Sequence, residues 1–89
     1  LPKNLTSIGN SAFAGNNITE LVLPESIINV DTHSFRGNEL TRINIPEGLE
    51  KIGSDAFSLN NFVEINILGE TTRFNNEWSD TGFPDELKP

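Results

Sequence analysis

A solenoid with one parallel strand per coil is the fold this sequence predicts, on three observations. Residues 1–66 divide into 22-residue copies, 1–22, 23–44 and 45–66. Pro2/Pro24/Pro46, Phe13/Phe35/Phe57 and Asn16/Asn38/Asn60 recur in those copies without exception. Each copy also carries a short alternation of apolar and polar residues. None of the copies is large enough to bury its own apolar side, so neighbouring copies must stack into one continuous core.

Each element follows from the repeat. The pattern Ile18-x-x-Leu21-x-Leu23-Pro24 returns as Leu40-x-x-Ile43-x-Ile45-Pro46 and Phe62-x-x-Ile65-x-Ile67, with the period-two alternation of a half-buried strand. These segments are expected to form a parallel sheet. Proline lacks an amide donor and holds the preceding residue extended, so Pro24 and Pro46 mark where pairing stops. Glu25-Ser26 and Glu47-Gly48 then carry the turn.

The chain returns along the other face. Leu5-x-x-Ile8, Ile27-x-x-Val30 and Leu49-x-x-Ile52 dip into the core on a short extended segment. A helical turn is expected next, because Asn10, Thr32 and Ser54 share a column suited to helix capping and precede Ala12-Phe13, Ser34-Phe35 and Ala56-Phe57. Gly15 and Gly37 can end that turn in a left-handed conformation. Leu59 cannot do so cheaply, so the third coil is expected to turn differently.

Asn16, Asn38 and Asn60 are read as a structural ladder. Bends leave backbone groups without strand partners, and an Asn side chain supplies both a donor and an acceptor. Phe13, Phe35 and Phe57 are read as a stacked core spine rather than a ligand box.

The run Leu23-Pro24-x-x-Ile27-x-x-Val30-x-x-x-Ser34-Phe35-x-Gly37-Asn38-x-Leu40-x-x-Ile43-x-Ile45-Pro46 resembles the BspA-like leucine-rich repeat. The resemblance covers about residues 1–68. It departs at Leu59, where the family usually has a small or polar residue. It implies a leucine-rich repeat solenoid, a right-handed superhelix with the sheet on its concave face and little regular helix. It also implies bacterial surface or secreted proteins used for adhesion or protein binding, with no enzymatic activity, no cofactor and no fixed ligand residues.

Residues 69–89 differ in kind. Ile67, Phe74 and Trp78 keep core columns, but Leu68, Ser79 and Gly82 occupy the Pro, Phe and Asn columns. This reads as a decaying fourth coil, with Phe74 and Trp78 as a C-terminal cap and Phe83–Pro89 as an exit strand or linker. An alternative makes Trp78 and Phe83 a sugar-stacking platform.

Composition narrows the function. The net charge of −7, from 13 acidic and 6 basic residues, disfavours nucleic acids and anionic membranes. No apolar run is long enough to span a bilayer as a helix. With no cysteine, neither disulfides nor thiolate metal sites can be invoked. His33 is the sole histidine, so a triad or a metal cluster would lack a second imidazole. Asp55 shares its column and Glu50 lies nearby, but two surface carboxylates need a pocket before they suggest acid–base work. The chain lacks Met and begins inside a repeat, which reads as a piece of a longer protein. The core around Leu1, Leu5, Ile8 and Phe13 is then expected to be uncovered, inviting end-to-end self-association.

The outward side chains of the strands remain: Glu20 and Val22, Arg42 and Asn44, Glu64 and Asn66. Glu20, Arg42 and Glu64 are expected in one lateral row about 4.8 Å apart, alternating in sign. Two functions fit such a face, a module that binds a host or bacterial surface protein and a spacer that displays another domain.

Overall fold

A computed structural model describes residues 2–69 and 80–88. The strands are short and parallel. β1 (Ser7–Ile8), β2 (Asn29–Val30) and β4 (Lys51–Ile52) form one small sheet in the order β1-β2-β4. β3 (Arg42–Ile45) and β5 (Glu64–Ile67) form a second. Every register joins residues one repeat apart, as in Val30↔Ile52 and Ile43↔Ile65. The copies therefore lie side by side, and their alternating apolar residues face a shared interior: Ile27, Val30, Leu40, Ile45 and Leu49 are fully buried.

The segments after β1, β2 and β4 differ from expectation. Among the described residues they contain no helix, and Asn10, Thr32 and Ser54 cap nothing. Consecutive turns run through them instead. The amides of Ala12 and Ala14 bond back to the carbonyls of Gly9 and Ser11, and those of Ser34 and Arg36 to Asp31 and His33. The amides in between reach sideways: Ser11, Phe13 and Gly15 donate to the Thr32, Ser34 and Arg36 carbonyls at 3.0, 2.8 and 2.9 Å. His33, Phe35 and Gly37 repeat this against Ser54, Ala56 and Ser58. An α-helix would aim every amide along its own axis and leave none for the next copy. Left-handed residues at Ser11, His33 and Asp55, and again at Gly15, Gly37 and Leu59, swing alternate amides outward. Leu59 thus adopts the conformation of its glycine counterparts, at φ 57°. The bend repeats despite the side chain because Asn60 holds both sides of it.

Asn60 Nδ2 donates to the carbonyls of Phe35, Phe57 and Ser58, and its Oδ1 accepts from the Leu40 amide at 3.0 Å. Asn38 does the same one copy earlier. Its Oδ1 accepts from the Asn16 and Ile18 amides and its Nδ2 donates to the Phe13 and Phe35 carbonyls. Asn16 is exposed, and its side chain bonds only the nearby Ala14 carbonyl among the described residues. Alongside, the rings of Phe13, Phe35 and Phe57 stack at 5.3 and 5.6 Å.

The ring stack continues into Phe83, 4.8 Å from Phe57 and nearly parallel to it. The step from 57 to 83 is 26 residues rather than 22, so the sequence frame that put Ser79 in this column slips by four. Backbone bonds shift in the same direction: the Asp55 amide donates to the Asp80 carbonyl, four residues past its repeat position, and the Phe57 amide to the Thr81 carbonyl, three past. Gly82, at φ +91°, lies so close to Ser58 that an added Cβ would come within 2.8 Å of its Cα. Phe83 is 3% exposed, which removes it from any sugar platform and makes its segment part of the packed body rather than an exit strand or linker. A 3-10 turn, Asp85–Leu87, then brings Leu87 against the core. Lys88 bonds Asp85 at 2.9 Å, and that bond together with its charge holds the Asp85 carboxyl below its ordinary pKa. Phe74 and Trp78, the expected cap, lie outside the described residues, as does Leu1.

Candidate functional site

The outer face of β3 and β5 carries Arg42, Asn44, Glu64 and Asn66, all exposed, while Ile43 and Ile45 point inward. Parallel in-register pairing places like positions side by side. Arg42 Nε meets Glu64 Oε1 at 3.0 Å, and Asn66 Nδ2 donates to Asn44 Oδ1 at the same distance. Both pairs are open to solvent, so each contributes at most about 1 kcal/mol.

Glu20 and Val22 do not join this row. Residues 17–24 form no strand, and the expected row of Glu20, Arg42 and Glu64 is broken after Arg42. The first copies stay zipped through the Glu39 amide and the Ile18 carbonyl, at 2.9 Å, and then part. Two residues before the parting, Asn17 stands at φ 57°, whereas Glu39 and Asn61 in the same column keep negative φ. Asn tolerates the left-handed region better than most residues. Nothing in the repeat pattern marked this turn, because Asn61 occupies the same column without making it.

Two adjoining grooves result. One, of about 370 Å³, runs between residues 19–22 and β3. The second, of about 500 Å³, lies below it between Leu21, Val22 and Leu23 on one side and Pro46 and Leu68 on the other, with Glu25 and Glu47 on its rim. Val22 is 83% exposed here. A third space, of about 400 Å³, reaches past Ile18 and Leu21 to the rings of Phe13 and Phe35.

Elsewhere, His33 Nε2 lies 4.0 Å from Asp55 Oδ2 on the surface. Both residues are left-handed turn positions, and no third carboxylate or imidazole joins them among the described residues. Among those residues, too, no helix is long and apolar enough to cross a membrane.

The family model described as BspA type leucine rich repeat region (6 copies) matches residues 1–79. The chain belongs to the BspA-type leucine-rich repeat family. The match runs beyond residue 68 and so takes in residues 69–79. No curated protein and no solved structure matches the chain. Repeats of this family are generally non-enzymatic, serve as modules for protein interaction or surface display, and typically occur on surface or secreted proteins.

Proposed function

We propose that this chain is a non-enzymatic binding module of a larger bacterial cell-surface or secreted protein. In this reading its copies wind as a right-handed solenoid whose concave face presents Glu20, Val22, Arg42, Asn44, Glu64 and Asn66 to a protein partner. The observation that carries it is the outer face itself. Exposed polar side chains on a two-stranded sheet lie beside grooves floored by exposed Val22 and Leu68, the mixture of polar contact and apolar anchor that protein recognition uses. The test is retention of host or bacterial surface proteins on the immobilised chain, beside a variant with Arg42, Asn44 and Asn66 all changed to Ala. The variant is expected to lose retention with an unchanged circular dichroism spectrum, and equal retention would move the site elsewhere.

One observation favours a second reading, a spacer displaying another domain. Arg42 and Glu64, and Asn44 and Asn66, already satisfy one another. A chain that retains nothing in the same assay supports that role. Partial burial of Leu5, Phe13 and Ile18 also supports end-to-end packing through residues 1–22. Light scattering at rising concentration and salt tests it, and a monomer throughout would refute it.

A further inference from the structure

The groove between residues 19–22 and β3 has an unused hydrogen-bonding edge. In a parallel pair, alternate residues of a strand turn their amide and carbonyl toward the partner. Thr41 and Ile45 accept from the Glu64 and Leu68 amides, so Thr41, Ile43 and Ile45 face β5. Arg42 and Asn44 face the groove. Their backbone groups meet no partner among the described residues, because residues 19–22 diverge from β3 after Ile18.

We propose that this groove receives an extended peptide alternating apolar and basic side chains, which adds to β3 as a parallel strand. The inference deepens the outer-face binding proposed above and rests on it. Strand addition gains affinity from main-chain bonds and specificity from alternate side chains. Period-two alternation sends one set of peptide side chains inward, toward Leu21 and Ile43 of the groove lining. The other set points outward among Glu20, Glu25 and Glu47, while Arg42, the one base of the rim among the described residues, is already paired with Glu64. That surplus of carboxylates selects Lys or Arg. A second copy of this chain is a poor occupant. Its six Lys and Arg residues stand singly, no two within five positions of each other, and each copy carries a net charge of −7.

Asn17 is the positioning residue of the groove. A β-branched side chain is strongly disfavoured in the left-handed region, so Asn17→Val should let residues 18–23 zip onto β3 as their counterparts do.

The test titrates the 89-residue chain with an acetylated hexapeptide alternating Leu and Lys, following heat release and amide hydrogen exchange. The expected results are slowed exchange at Arg42 and Asn44 and affinity at least tenfold above that of a Leu–Glu counterpart. A Leu–Lys peptide N-methylated along the pairing edge should not bind. Asn17→Val should weaken binding at least tenfold, and the N-methylated peptide serves as the control should that variant unfold. No binding, equal affinity for the two peptides, or binding that leaves Arg42 and Asn44 exchanging freely would each overturn the proposal. A chain that retains a surface protein through Arg42, Asn44 and Asn66 yet ignores the peptide refutes this inference alone.

Discussion

Three asparagines share one column of the repeat, yet they should not matter equally. Changing Asn38 to Ala removes two acceptor bonds, to the Asn16 and Ile18 amides, and two donor bonds, to the Phe13 and Phe35 carbonyls. The Phe35 carbonyl keeps the amide of Asn60 at 3.0 Å, and Asn16 is exposed enough for its own amide to rehydrate. That leaves the Ile18 amide and the Phe13 carbonyl, both half-buried, as the groups orphaned. At about 1–1.5 kcal/mol each, the low end of the range for buried unpaired groups, the loss is about 2–3 kcal/mol. For a chain this size, a urea slope of about 1 kcal/mol per molar turns that into a midpoint lower by about 2–3 M. Asn16→Ala forfeits one exposed bond within its own copy, so it should stay within about 0.5 kcal/mol of the parent. Urea denaturation of the two variants side by side decides the matter. Equal midpoints would show that the bond pattern is not what makes the column invariant.

Ser34 is fully buried with no partner for its Oγ among the described residues, where the flanking copies have Ala12 and Ala56, so Ser34→Ala should raise stability by about 1 kcal/mol; a lower melting temperature would mean that the hydroxyl is satisfied after all. Leu59→Gly relieves a left-handed leucine that is 66% exposed and should stabilise by about 0.5–1 kcal/mol in urea; destabilisation would place Leu59 in a contact the structure does not hold. Phe83→Ala should cost about 3–5 kcal/mol, as much as Phe35→Ala, because both rings belong to one stack; a near-native melt would put Phe83 outside it.

What the sequence could reveal was whatever the repeat enforces. Stacked copies need the same bend at the same place, so Phe35 and Asn38 carry a pattern visible without coordinates. Departures from the repeat were hidden for the same reason. Asn17 and Asn61 are identical in sequence, and only the first takes the left-handed turn that opens the groove. The four-residue slip before Phe83 is invisible to a fixed 22-residue frame, which assigned the ring column to Ser79. Leu59 looked incompatible with its turn because propensity was weighed alone, while the Asn60 bridge outweighs a local strain of about 1–2 kcal/mol. Of the outer face, Arg42, Asn44, Glu64 and Asn66 followed from alternation. The separation of Glu20 and Val22 from them did not.

The account turns on β3 having one zipped edge and one open edge, and amide hydrogen exchange in the unliganded chain measures that within four consecutive residues. Ile43 and Ile45, turned toward β5, are predicted to exchange slowly, and Arg42 and Asn44, turned toward the groove, at close to unprotected rates. Uniform protection from Arg42 to Ile45 would mean that residues 19–22 already pair with β3, closing the groove on which the binding face has been built.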